Sequence, residues 1–212
     1  MQKKELERTK IINTLINSDK ELGKFIKYFE KENFIIQDDY EKRSEFLSLV
    51  RIIIGQQLSI TVASSIFTKF TNKFGKNISY IDSQEFNEKK LNDLGLSKAK
   101  ANTILELSQS IKNNKLDLNL ISKMEESKAK KILCEFKGIG PWTVENFLIF
   151  TGNNMDICPA NDLGIKKGIQ KIYKLNNLPT DKEVYEMSTK WKPYRSLAVR
   201  YIWEIVDQNI SF

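Results

Sequence analysis

Apolar residues in this chain recur at helical spacing from one capping signal to the next, and nowhere do they alternate as a strand would require. Phe46, Leu49, Val50, Ile53 and Ile54 run on one period and stop at Gly55. Ser59 can cap the next helix, whose Val62, Ile66 and Phe70 should face inward before Gly75 ends it. Leu94-Gly95-Leu96-Ser97 reads as a joint between helices with Ser97 as the following cap, and Ala101, Ile104, Leu107 (or Ser108) and Ile111 continue the period. Asp82-Ser83-Gln84-Glu85, Ser122-Lys123-Met124-Glu125 and Thr180-Asp181-Lys182-Glu183 each match the capping-box pattern of a helix start. Trp191-Lys192-Pro193 ends one helix and begins the last, in which Leu197, Tyr201 and Ile205 share a face. Upstream, a charged, weakly helical segment precedes Leu22, Phe25, Ile26 and Phe29, a packing helix. The pattern predicts an all-α fold: a helical extension over residues 1–40 packed on a main domain over 41–212. No repeat, proline-rich linker or low-complexity tract divides it.

Within this pattern the stretch from Lys131 to Ile165 carries the chemistry. A helix is expected to end at Gly138, with a tight turn through Ile139 and Gly140 and a second helix from Pro141 to about Gly152. The first N–H groups of that second helix lack intrahelical partners and suit a phosphate. Further on, Asp162 stands directly before a helical pattern of Leu163, Ile165, Ile169 and Ile172. Each feature has a plain structural explanation, the first as a short connecting turn and the second as an N-cap. Together they form a phosphate anchor followed by a carboxylate.

Composition narrows the chemistry. Lys+Arg 34 against Asp+Glu 27 leaves a formal charge of +7, which suits a polyanionic partner as well as it suits plain solubility. The chain has no histidine, so serine or cysteine triads and histidine-based metal sites are excluded. Cys134 and Cys158 form no disulfide or ligand pattern; Cys134 falls in a helical apolar register and is expected to be a buried free thiol. A reducing, cytosol-like compartment fits, and no run of membrane-spanning length or apolar signal core is present.

Phe136-Lys137-Gly138-Ile139-Gly140-Pro141-Trp142-Thr143 resembles the helix-hairpin-helix of the HhH-GPD DNA glycosylase superfamily, and Asp162 in Pro159-Ala160-Asn161-Asp162-Leu163-Gly164 matches that family's catalytic aspartate. Gly55-Gln56-Gln57-Leu58-Ser59 and Trp191-Lys192-Pro193-Tyr194-Arg195-Ser196 through Trp203 point to the 3-methyladenine DNA glycosylase II, or alkylated-base, branch. The resemblance covers residues 42–207 and rests on the order of four motifs. It implies two helical lobes with the hairpin bordering an active cleft. It leaves no room for the β-rich N-terminal domain of some members.

The resemblance also implies roles. Amides near Gly138, Gly140 and Trp142, with Thr143, would grip a DNA phosphate, and carbonyls at Phe136 and Gly138 could coordinate a monovalent cation. Asp162 would stabilise the positive charge that develops on the sugar as the base departs, a contribution of about 3–4 kcal/mol or more for a preorganised group. Trp142, Trp203 and Tyr201 would form an aromatic base pocket able to attract a cationic alkylated purine, while Trp191 is expected to be structural. Gln57, or Leu58 as the apolar alternative, would fill the gap left by the extruded nucleotide, although the loop could equally be a polar helix start. Lyase-competent relatives carry a lysine where this chain has Trp142, so hydrolysis by water is expected. The implied protein is a monomeric, monofunctional glycosylase acting on alkylated double-stranded DNA, cytoplasmic and nucleoid-associated in a bacterium or nuclear in a eukaryote. No cofactor, catalytic metal or membrane would be needed. The rival is a non-enzymatic helix-hairpin-helix DNA-binding module, which would have no use for Asp162.

Overall fold

A computed structural model describes residues 2–32, 43–81, 87–151 and 154–211, with side chains from residue 6 onward. The boundary near residue 40, the start at Asp82-Ser83-Gln84-Glu85 and Gly152 lie outside them. In chain order the helices are α1 (Gln2–Ser18), α2 (Lys20–Lys31), α3 (Glu45–Gly55), α4 (Ile60–Phe74), α5 (Glu88–Asn92) and α6 (Lys98–Lys112). They continue with α7 (Leu118–Ser122), α8 (Glu126–Leu133), α9 (Pro141–Phe150), α10 (Leu163–Tyr173), α11 (Asp181–Ser188) and α12 (Arg195–Asp207), with a 3₁₀ turn at Thr189–Trp191. No strand occurs among the described residues, and no helix there is long and apolar enough to cross a membrane. The all-α reading is therefore met.

The chain divides into two compact units: Met1–Gln37 with Met155–Phe212, and Asp38–Asn154. The first is discontinuous in sequence, so the N-terminal helices share a unit with the C-terminal residues. In it α2 buries Leu22, Phe25, Ile26 and Phe29, and Gly23 lets α1 approach closely: a Cβ there would lie 2.8 Å from the Ile16 carbonyl oxygen. Helices α10 and α12 meet at Gly168, where a Cβ would lie 2.3 Å from Ile202 Cγ2. That helix pair is in backbone-close contact. Asp19 caps α2 through the amides of Glu21 and Leu22 and also accepts from Trp191 Nε1 at 2.7 Å, the Tyr173 hydroxyl and Lys190 Nζ. One buried carboxylate thus joins three elements of the unit, α2, α10 and the 3₁₀ turn.

The second unit is built around α9, buried from Thr143 to Ile149 on every side and packed against α3 and α8. Glu145, polar but buried, is accommodated by Lys130 of α8 at 2.6 Å, which also pairs with Glu126. Burial opposes the Lys130 charge, but those two carboxylates outweigh it and raise its pKa above the ordinary lysine value. The caps at Ser59, Ser97 and Thr180 form as the sequence suggests, the last as a complete capping box.

Several local expectations are corrected. Val62 does not face inward: it is 46% exposed, in the first turn of α4, where only Ile66, Phe67 and Phe70 reach the core. Leu163 is exposed, while Ile165, Ile169 and Ile172 are buried. Ser122 opens no helix; it closes α7, its hydroxyl donating to the Asn119 carbonyl, and Glu125 precedes α8 without a side-chain cap. Helix α8 ends at Leu133, before Gly138, because the i→i−4 ladder gives way to i→i−3 bonds from Glu135 to Ile132 and from Phe136 to Leu133. That early stop leaves Cys134 exposed, so it is not a buried thiol.

Candidate active site

In the second unit, the hairpin turn joins α8 to α9. Gly138 has φ +91°, and a Cβ there would lie 2.6 Å from Thr103 Oγ1, so both conformation and packing demand glycine. Thr103 donates to the Lys137 carbonyl at 2.7 Å and fixes this turn against α6. Gly140 is different. Its φ of −106° suits any residue, and nothing lies within 4 Å of a Cβ built there. Neither the backbone conformation nor the neighbours require glycine at 140, so a Cβ there would meet open space. Pro141 follows as the first residue of α9, Trp142 is half-buried beside it, and Thr143 is buried.

The loop after α3 is tied to this hairpin by Gln56, which the sequence reading placed in a motif without giving it a role of its own. Gln56 donates from one amide nitrogen to the Gly138 carbonyl at 3.0 Å and to Thr143 Oγ1 at 2.9 Å. Lys100 of α6 in turn donates to the carbonyls of Ile54 and Gln56 at 2.9 and 2.7 Å, and its partial burial lowers its pKa. The place of Gln56 in that motif, and its polar side chain, were the only signals of this. The same loop turns its tip outward: Gln57 is exposed with φ +57°, and Leu58 is 39% exposed. The two carbonyls named for a cation are engaged, Phe136 by the Ile139 amide and Gly138 by Gln56. A cation at the Gly138 oxygen would meet the Gln56 NH₂ donor, so these residues do not fit one there.

In the first unit, Asp162 is the N-cap of α10, its Oδ1 accepting from the Ile165 amide at 2.8 Å and from Trp203 Nε1 at 3.1 Å. Its exposure is 9%, so the carboxylate is largely withdrawn from water. The segment leading to it is held by the start of α12. Arg195 grips the Asp156 carboxylate from Nε at 2.6 Å and Nη2 at 3.1 Å, and also its carbonyl at 2.7 Å. Ser196 takes the Met155 carbonyl with its amide and receives the Ile157 amide on its hydroxyl. Arg195 and Ser196 of the Tyr194-Arg195-Ser196 motif thereby fix the strandless run that leads to Asp162. On α12 itself, partial desolvation, then Glu204 and Asp162, push the Asp207 carboxyl above its ordinary pKa.

Of the aromatic candidates, Trp142 and Trp203 are partly accessible. Tyr201 is fully buried, packed on Phe29, with its hydroxyl donating to Glu30 at 2.9 Å. Burial and the Glu30 charge raise its pKa. Its ring offers no face to a base, because it is wholly buried against α2. Trp191 is fully buried against Asp19, as expected of a structural residue.

The model of the HhH-GPD superfamily base excision DNA repair proteins matches residues 50–193, and the chain belongs to that family. It is similar to the alkylbase DNA glycosidase-like protein mag2 of Schizosaccharomyces pombe, 29% identical over 170 residues that cover 78% of this chain and 80% of that protein. YfjP of Bacillus subtilis is 29% identical over 176 residues, but the match spans 77% of this chain and only 60% of YfjP. The solved structure of Schizosaccharomyces pombe 3-methyladenine DNA glycosylase (Mag1) in complex with abasic DNA superposes with a TM-score of 0.83 at 25% identity. That match covers 93% of this chain and 97% of that one.

Proposed function

We propose that this chain is a monofunctional DNA glycosylase that excises alkylated purines of the 3-methyladenine type from duplex DNA. The observation that carries the reading is Asp162, nearly buried, with Oδ1 held by two N–H donors at the start of a helix. Family membership and the names of mag2 and Mag1 support it. Cleavage of an N-glycosidic bond builds positive charge on the sugar as the base leaves, and a fixed carboxylate stabilises that charge without reorganising. A cationic alkylated base is already a good leaving group, so the absence of histidine costs little. Water then completes the substitution, and no residue need become covalently attached.

DNA would be held by amides of the hairpin at Gly138, Gly140 and Trp142, with Gln57 or Leu58 entering the gap left by the extruded nucleotide. Trp142, half-buried at the start of α9, would offer an aromatic face to an extruded base. Action on duplex DNA places the protein wherever the genome is, and a monomer suffices for it. The test is release of free base from methylated duplex by the wild type and by Asp162→Asn. Asparagine is a good N-cap, so the variant keeps the fold while removing the charge. Base release should be lost while affinity for lesion DNA stays within roughly tenfold, because the charge acts mainly in the transition state. Excision retained by the folded variant would defeat the assignment.

A further inference from the structure

We propose that Trp203 is a positioning residue for Asp162: its indole N–H, rather than its ring face, is what the reaction uses. The proposal rests on the glycosylase reading above, but its physical core is independent of it. Asp162 Oδ1 accepts two hydrogen bonds, from the Ile165 amide at 2.8 Å and from Trp203 Nε1 at 3.1 Å. A cap alone would supply only the first. The second comes from α12, and it reaches the carboxylate because residue 164 has no side chain. A Cβ on Gly164 would lie 3.0 Å from Asp162 Oδ1, 3.2 Å from Trp203 Cδ1 and 3.4 Å from Trp203 Nε1. Glycine there keeps open the space in which the indole edge and the carboxylate meet.

The distance between the two helices is itself fixed. One turn along α10, Gly168 meets Ile202, the neighbour of Trp203, with space for no further atom. The indole is therefore delivered to Asp162 by backbone-close packing of α10 on α12. Oδ1 is thus immobilised from two directions, which orients the whole carboxylate. A carboxylate locked in this way meets developing charge with no rotational freedom left to lose. A tryptophan serving only to stack on a base would not need its N–H committed to a carboxylate.

Trp203→Phe separates the two roles, since it keeps an aromatic face and removes the donor. With methylated duplex as substrate, the single-turnover rate of base release should fall about 10- to 100-fold, the scale of a misplaced catalytic group. The DNA concentration for half-saturation should stay within about threefold. Gly164→Ala should give the same split, because its Cβ intrudes between the same two groups. A rate within twofold of wild type for Trp203→Phe would overturn the proposal. So would an unchanged rate with weakened half-saturation, the signature of base stacking. A second readout needs no activity. The Trp203 indole N–H resonance, assigned by its absence in Trp203→Phe, should shift in Asp162→Asn and exchange slowly with solvent in the wild type. An unmoved, fast-exchanging resonance would overturn the link. A wild type that releases no base, with the resonance behaving as expected, would instead defeat the glycosylase reading and leave the link standing.

Discussion

Replacing Asp19 should unfasten the N-terminal helices from the segment that carries Asp162. The Asp19 carboxylate accepts from the Glu21 and Leu22 amides at 3.1 and 3.2 Å, from Trp191 Nε1 at 2.7 Å and from the Tyr173 hydroxyl, with Lys190 Nζ at 3.1 Å. In Asp19→Ala the loss of the cap costs about 1 kcal/mol. The indole N–H of Trp191, fully buried, is left without an acceptor at about 1–3 kcal/mol, whereas half-buried Tyr173 can turn toward water. The expected loss is therefore about 2–4 kcal/mol, read as a lower urea midpoint with unchanged slope. Asp19→Ser keeps a capping oxygen and should recover only about 1 kcal/mol of it. Acid should reproduce the effect. Burial raises the Asp19 pKa, but the hydrogen bonds from Tyr173, Trp191, the Leu22 amide and Lys190 outweigh it and hold the carboxyl below its ordinary value. A depressed pKa means that the stabilisation is present above the unfolded value near 4 and is lost as pH falls through the folded one. The stability gap between wild type and Asp19→Ala should accordingly close on acidification. If both variants unfold within about 0.5 kcal/mol of wild type at neutral pH, the network does not hold the unit together as described.

The two hairpin glycines should behave differently. Gly138→Ala, with φ +91° and Thr103 Oγ1 at 2.6 Å, should destabilise by about 1–3 kcal/mol, whereas Gly140→Ala should fold normally and lose duplex affinity. Urea unfolding and DNA titration of the pair decide it, and wild-type affinity in Gly140→Ala would remove the phosphate from that position. Binding to undamaged duplex should weaken steeply with salt; for on the order of four neutralised phosphates, log K should fall with a slope near −3.6 against log salt. A flat dependence would argue against the DNA backbone as partner. Borohydride during turnover should trap no adduct, because Trp142 occupies the lysine position of lyase-competent relatives, Lys166 pairs with Asp181 at 2.5 Å and Lys137 sits exposed on the turn. An efficient adduct abolished by replacing one lysine would overturn monofunctionality while leaving base release intact.

Capping and periodicity are local, and what is local was legible in the sequence: the all-α class, the caps at Ser59, Ser97, Asp162 and Thr180, and the helix start at Pro141 all depend on neighbours a turn away. The helix stop at Leu133 escaped because a glycine downstream looks like an end signal whether or not the ladder has already failed. Position relative to the core was a different matter. Val62 and Tyr201 sit in equally good helical patterns, yet one is turned out and the other is sealed beneath Phe29 and Glu30, since only packing decides which apolar stripe finds a partner. The contacts that make a site were further still from view. Gln56 reaches across 82 residues to Gly138, Trp203 across 41 to Asp162, and Trp191 across 172 to Asp19. A hydrogen bond of that span leaves no periodic trace in the chain. The sequence by itself determined the helices and their caps, which depend on near neighbours; the tertiary structure decided which side chains are buried and which are held by partners far along the chain.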